Sequence, residues 1–181
     1  MHTGVTTNLW VLHHVLGHHH NYLDQTIDQS RWQRKSGEKM GELEYSLLTT
    51  FTAYYRGFQV GRQHPKEMKT FLTYSAVTFC ILALLVAYRP GPAIILFILP
   101  MFMGLFMTAW ATYEHHAGLK TDNLYEASFN NLNKWYNLFT GNLGYHTAHH
   151  YKQGIHWSKL PELHSRIEQN IPEHLLRKTW V

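Results

Sequence analysis

Histidines are the residues of this sequence whose type and spacing could do chemistry, because fifteen of them occur among 181 residues and most are clustered. Neutral imidazole is a good ligand for iron and zinc, and helical spacing decides whether several rings converge. At about 100° per residue of an α-helix, the triplet that begins at His146 spans an arc of about 100°, and the triplet that begins at His14 spans about 140°. Each triplet can therefore direct its rings towards one point. The two triplets are His14, His18 and His19, and His146, His149 and His150.

The number of clustered histidines indicates two metal ions rather than one. Three ligands from one helix are too many for a single tetrahedral zinc that also draws on a second cluster. The single cysteine, Cys80, excludes a disulfide within the chain and a thiolate site of the CxxC kind. The net charge of +4 comes from basic residues that are spread along the polar segments, which argues against nucleic acid as a partner.

Two charge-free segments, 70–88 and 90–113, must place these histidines in space. Each is long enough to cross a hydrocarbon core of about 30 Å as a helix, and the link around Arg89 is too short for anything but a tight turn. We therefore predict a membrane hairpin that Pro100 bends, rather than a buried helical pair of a soluble protein. All histidines then lie on one side of the membrane. Only Arg89 of the sixteen Lys and Arg residues lies at the opposite tip, which places that side in the cytoplasm.

The remaining periodic segments predict further helices over 41–62, 130–139, 146–151 and 160–169. The first has apolar and aromatic residues at Leu43, Leu47, Phe51 and Tyr54 or Tyr55, and it either lies along the membrane surface or packs on the hairpin. We favour packing. The predicted fold class is mainly α: a membrane helical hairpin with a cytoplasmic helical cap that carries the histidines.

The HxxxHH of the first triplet and the HxxHH of the second, separated by a two-span hairpin, resemble the histidine boxes of the membrane fatty acid desaturase and hydroxylase superfamily. The stretch 142–150, which reads NLGYHTAHH, and the stretch 156–164, which reads HWSKLPELH, are similar to the third box of bacterial fatty acid desaturases. Residues 113–118, YEHHAG, resemble an additional ligand-bearing segment of the superfamily. The following Ala-Gly favours His116 over His115 as its ligand.

The resemblance implies one domain over residues 1–181, with two iron ions, dioxygen and electrons from a separate donor protein of ferredoxin, rubredoxin or cytochrome type. Carboxylates close to the rings are candidates for accepting their N–H groups. The expected metal ligands are His14, His18, His19, His116, His146, His149 and His150, with His2 and His115 as further possibilities. The candidate acceptors are Glu114, Asp24 and Asp28.

The implied reaction is oxidation of an unactivated alkyl chain, with a lipid or acyl chain as substrate and a cis double bond as product. The first alternative is hydroxylation of alkanes, acyl chains or terpenoids on the same scaffold. The second is a non-enzymatic metal-binding membrane protein. The two spans contain no histidine or acidic residue, which argues against a metal carrier.

The sequence departs from the superfamily at its start. The superfamily has another histidine box ahead of HxxxHH and usually another membrane hairpin, but only Met1 and His2 stand where that box would end. His2 is a candidate for the last histidine of a truncated first box. We also expect the 181 residues to be inactive when expressed alone.

Overall fold

The computed structural model of the chain describes residues 5–179, and these are mainly helical, as predicted. Two π-helices, Val11–His19 and Ile94–Ile98, continue the preceding α-helices, and short 3-10 turns flank α8. The α-helices are α1 (Thr7–Trp10), α2 (Glu42–Gly61), α3 (Pro65–Tyr88), α4 (Pro90–Ala93), α5 (Leu99–His116), α6 (Lys134–Thr140), α7 (His146–Tyr151) and α8 (Leu160–Ile167). The strands are β1 (Asn130–Asn131) and β2 (Leu176–Arg177).

The predicted hairpin is present. Helix α3 and the continuous helix Pro90–His116 are both long and apolar enough to cross a membrane, and most of their side chains are exposed. Arg89 has extended backbone between them, because Pro90 disfavours the helical conformation of the residue before it. Ahead of Pro100 the second span widens into the π-helix Ile94–Ile98, which gives room to a proline ring that would otherwise press on the carbonyl four residues earlier.

Helix α2 packs on α5 and on the first π-helix. Of the predicted face, Tyr54 packs on Phe71 and Phe79 of α3, but most of the packing uses another face. The packed face consists of Tyr45 and small residues such as Ala53 and Gly57. A Cβ atom at Gly57 would lie 2.8 Å from Leu9 Cδ1, so the close approach of α1 requires glycine there. Leu43, Phe51 and Tyr55 are more than 60% exposed on the outer face.

The segment after α5 departs from the predicted helix over 130–139. Asn130 and Asn131 instead pair in parallel with Leu176 and Arg177, and helix α6 begins only after Asn133. The Asn133 side chain caps α6 by accepting hydrogen bonds from the backbone N–H groups of Trp135 and Tyr136. The β1–β2 pair fastens the C-terminal segment beside the residues that hold α7.

Candidate metal centre

The first histidine triplet lies on a π-helix, not on the α-helix that the spacing argument assumed. Residues five apart are about 140° apart around an α-helix, but a π-helix closes its hydrogen bonds between such residues and brings them onto one side. His14 Nε2 and His19 Nε2 are consequently 2.9 Å apart. The Trp10 ring stacks on the His14 ring with the centroids 3.9 Å apart.

Gly17 allows the loop after the π-helix to return to it. The Gln29 N–H donates to the Gly17 carbonyl at 3.0 Å, and a Cβ atom at Gly17 would lie 2.8 Å from Gln29 Cγ. The loop thereby places the buried Asp28 against His18, with its carboxylate oxygens 3.0 and 3.1 Å from His18 Nδ1. The same carboxylate accepts a hydrogen bond from the Ser30 N–H at 2.7 Å. His18 Nδ1–H is therefore held by a carboxylate, and Nε2 is left with its lone pair.

The end of α5 turns its two histidines in different directions. His116 Nδ1 donates to the Ala127 carbonyl at 2.8 Å, which leaves the Nε2 lone pair facing the other clustered rings. His115 Nδ1 donates to the Phe129 carbonyl at 2.9 Å, and its Nε2 lies 3.1 Å from the Tyr136 hydroxyl. Both ring nitrogens of His115 thus have partners away from the clustered Nε2 atoms.

Helix α7 is fixed by Asn130, whose side-chain oxygen accepts from the Thr147 N–H at 3.0 Å and whose amide donates to Thr147 Oγ1 at 2.8 Å. The chain enters α7 through Gly144, where a Cβ atom would clash with the Asn131 carbonyl and with the Asn137 side chain. Asn130 and Thr147 are fully buried, and these bonds hold α7, with its three histidines, against β1.

The rings converge in two neighbouring groups of three. Within each group the potential ligand nitrogens lie within 4.8 Å of one another, and the stacked rings of His19 and His150 join the two groups with their centroids 4.5 Å apart. His146 adjoins the second group, because its Nε2 lies 3.0 Å from His116 Nε2. The first group is His14, His19 and His149, and the second is His18, His116 and His150.

Burial favours the neutral form of five of these histidines, which is the form that binds metal: His14, His19, His146, His149 and His150. Burial, together with the nearby His149 and His18, lowers the pKa of His19 to about 2. Burial and the neighbouring His18 lower the pKa of His149 to about 4. The pKa values of His14, His146 and His150 are also lowered, chiefly by burial and secondarily by the surrounding imidazoles.

This arrangement fits metal ions. His18 Nε2 and His149 Nε2 are buried and have no hydrogen-bond partner among the described residues. His116 Nε2 faces His150 Nε2 at 3.1 Å. Because the proton of His116 is on Nδ1 and is donated to the Ala127 carbonyl, His116 Nε2 presents a lone pair to the His150 ring. A cation between such nitrogens would replace unsatisfied acceptors with ligand bonds. An all-imidazole donor set suits iron, zinc and copper.

The three carboxylates that were predicted to accept from the ring N–H groups have different partners in the structure. Of the three candidate carboxylates, Asp28 contacts a ring. Asp24 is exposed and accepts from the Thr26 N–H and hydroxyl, whereas the Glu114 carboxylate lies 3.4 Å from Arg177. In this structure the partner of Asp24 is thus Thr26 and that of Glu114 is Arg177, and a hydrogen bond from a ring N–H to either carboxylate stays a prediction. His2 lies outside the described residues.

Sequence reasoning missed two aromatic neighbours of the rings. Trp10 precedes His14 by four residues, and this helical spacing could have indicated the contact. The half-buried Tyr22 lies over His150 with the ring centroids 4.1 Å apart. The loop position of Tyr22 gives no sequence signal of that contact.

Two openings of different character reach the rings. A largely apolar cavity of about 370 Å³, here named the α6-side cavity, lies between α5, α6 and α7, and its lining includes His14, His146, His149, Met107 and Phe139. A more polar recess of about 440 Å³ reaches His116 from another side, past Tyr22, Trp32 and Lys120. The first group of histidines is thus open to an apolar ligand, and the second group is open to a polar surface.

The comparisons with known proteins agree with this site. The family model for fatty acid desaturase matches residues 1–181. No curated protein and no solved structure gives a significant match to the chain.

Proposed function

Because the chain belongs to the fatty acid desaturase family, we propose that it oxidises an unactivated alkyl chain with dioxygen at a di-iron centre. Desaturation of a fatty acyl lipid to a cis double bond is the proposed reaction. The observation that carries the proposal is the pair of three-histidine groups, side by side and next to an apolar cavity. A non-enzymatic metal-binding membrane protein would have no need of the apolar cavity.

We assign one iron to each group of three histidines and place His146 beside the second group as a further ligand. Bound iron would supply the activation of dioxygen that removes hydrogen from a methylene group. The protein supplies the ligand geometry. Asp28 holds the His18 ring by its Nδ1–H, and the Ala127 carbonyl holds the His116 ring in the same way. Such outer partners fix the tautomer and orientation of a ligating imidazole.

The α6-side cavity is the proposed binding site for the alkyl chain. Its apolar lining, which includes Met107, Phe139 and Leu143, favours methylene groups over water. His14 and His149 line the same cavity, so a chain bound there lies against the first histidine group. Positioning the chain and excluding water are the main contributions of these side chains to the reaction.

The polar recess is the proposed side of electron delivery by a separate protein of ferredoxin, rubredoxin or cytochrome type. His116 lines the recess, and Tyr22 lines it while covering His150, so the second histidine group is the nearer one to this surface. Charge also supports a cytoplasmic active site, because Arg89 is the only one of the sixteen Lys and Arg residues at the tip of the hairpin and the others lie on the side of the histidines.

Hydroxylation of the same chain is the alternative reaction. The HxxxHH spacing of His14, His18 and His19 resembles alkane hydroxylases as well as desaturases. Both reactions begin with oxidation of the same methylene group, so the histidine geometry serves either one.

Product analysis distinguishes the two reactions. Lipids from cells that express the full-length gene with a matching donor would be analysed by mass spectrometry, beside cells in which that gene carries His149→Ala. A loss of two hydrogens per chain, present only with the unsubstituted protein, supports desaturation. Gain of one oxygen supports hydroxylation. Unchanged lipids from a protein that carries two irons would contradict the proposed function.

A further inference from the structure

A second cavity adjoins the proposed chain-binding site. This α2-side cavity, of about 280 Å³, lies between the first π-helix, α2 and α5. It shares four lining residues with the α6-side cavity: Trp10, His14, Thr108 and Thr112. The two cavities are therefore neighbours on either side of these residues, and a chain in the α6-side cavity lies next to the α2-side cavity.

Most of the lining of the α2-side cavity is apolar, but two polar atoms in it are unsatisfied. His13 and Thr49 both line the cavity, and His13 Nε2 and Thr49 Oγ1 are buried without a hydrogen-bond partner among the described residues. Thr108 and Thr112 differ from them, because their hydroxyls donate to the carbonyls of Gly104 and Thr108 at 2.8 and 2.9 Å. The polar groups of this cavity that lack a close partner are thus His13 Nε2 and the Thr49 hydroxyl, which is near only the Tyr45 hydroxyl, whose own proton goes to the Ser30 carbonyl.

The chemistry of His13 defines what it can bind. One nitrogen of its ring donates to the backbone carbonyl of Gln29, so the unpaired Nε2 is an acceptor. It requires a ligand with an O–H or N–H group. Esters, ketones and carboxylates offer none. The Thr49 hydroxyl both donates and accepts, so an alcohol has the donor that His13 needs and an acceptor that Thr49 can use.

A methyl-terminated chain in the same place would leave both polar groups desolvated and unpaired, which is unfavourable. We propose that the α2-side cavity selects alkyl chains that carry a hydroxyl group at the end beyond the reacting carbon, with His13 and Thr49 as its hydrogen-bond partners. This inference rests on the proposed function, because it takes the alkyl chain to lie in the α6-side cavity against His14 and His149.

Ligand binding tests the inference without turnover. The purified full chain in detergent would be loaded with a fluorescent polyene fatty acid, which is then displaced by hexadecanoate methyl ester or by its ω-hydroxy counterpart. We expect the ω-hydroxy ester to displace the probe at an about fivefold to tenfold lower concentration, as for one buried neutral hydrogen bond or slightly more. Thr49→Val, which keeps the shape of the side chain, should reduce this preference to about twofold or less.

Thr50→Val is the matched control, because it removes the hydroxyl of the next residue of α2, which lines neither cavity and already donates to the Ser46 carbonyl at 2.7 Å. It should keep the full preference. Equal displacement by the two esters from the unsubstituted protein would overturn the inference and leave alkyl-chain binding intact. A preference that survives in both Thr49→Val and His13→Leu would also overturn it, because the hydroxyl would then be recognised elsewhere. Failure of both esters to displace the probe would instead contradict the proposed function.

Discussion

At the scale of single residues, the role of each clustered imidazole depends on the partner of its second nitrogen. His18 and His116 direct Nδ1–H to Asp28 and to the Ala127 carbonyl, and each keeps an Nε2 lone pair for a metal. His115, the neighbouring histidine in the sequence, differs from His116, because its Nε2 lies beside the Tyr136 hydroxyl. The sequence left His115 and His116 as alternatives. The two differ only in the partners of their ring nitrogens, and these partners come from Ala127, Phe129 and Tyr136, whose positions in space the sequence does not show.

Asp28→Asn tests the importance of this outer contact. The amide oxygen can still accept from the Ser30 N–H, but the substitution removes the negative charge and one of the two oxygens that lie beside His18 Nδ1. We expect metal affinity, measured by competition with a chelator, to fall by about 10- to 100-fold with the helical content retained.

Asp24→Asn is the matched control, because that exposed carboxylate bonds only to Thr26 among the contacts of the described residues. It should leave metal affinity unchanged. Equal losses of metal affinity in the two variants would mean that the total negative charge of the loop, rather than the contact of Asp28 with His18, determines the affinity.

At the scale of elements, the hairpin could be predicted and the π-helix could not. Charge-free runs of membrane length are a local signal, and the structure only extends them to Pro65–Tyr88 and Pro90–His116. The π-helix reduces the angle between His14 and His19 around the helix axis, but nothing in the spacing HxxxHH distinguishes a π-helix from an α-helix. The β1–β2 pair joins residues more than forty positions apart. Each strand has only two residues, which is too short for an alternation of apolar and polar residues to predict it. Among three candidate carboxylates, the path of the loop alone selects Asp28.

Gly17→Ala tests the packing of that loop on the π-helix. The added Cβ atom would lie 2.8 Å from Gln29 Cγ and 3.0 Å from the Leu12 carbonyl, so the loop that carries Asp28 must shift. We expect a loss of about 1–3 kcal/mol in the free energy of unfolding, together with weaker zinc binding. Both quantities can be measured by denaturant titration with and without the metal.

Gly154→Ala serves as the control for Gly17→Ala, because nothing lies within 4 Å of its added Cβ atom. Its stability and zinc affinity should match those of the unsubstituted protein. A Gly17→Ala variant with unchanged zinc affinity would show that the π-helix and its loop do not depend on this close approach.

At the scale of the whole molecule, the buried histidines couple folding to pH. The pKa of His19 is lowered by burial from 6.5 to about 2, and that of His149 to about 4, so the unfolded chain binds protons that the folded chain does not. Stability of the metal-free protein is therefore full above about pH 6.5 and is lost as the pH falls towards 4. Urea midpoints at several pH values, with a chelator present, should decrease steadily over this window.

Removing one of these groups should weaken the pH dependence. His149→Asn is expected to flatten the slope between pH 6.5 and 4 relative to the unsubstituted protein. A midpoint that is constant or rises on acidification would contradict the coupling.

The membrane arrangement makes a final prediction for the whole molecule. The hairpin returns the chain to the side it left, so α2 and α7, with all the clustered histidines, lie opposite the tip at Arg89. In a Cys80→Ser background, a cysteine introduced at Gly91, where the surrounding space is open, should react with an impermeant maleimide on intact cells. A cysteine at the exposed Lys152 should react only after permeabilisation. The reverse pattern would place the histidines outside the cytoplasm, and labelling of both sites on intact cells would exclude a hairpin that spans the membrane.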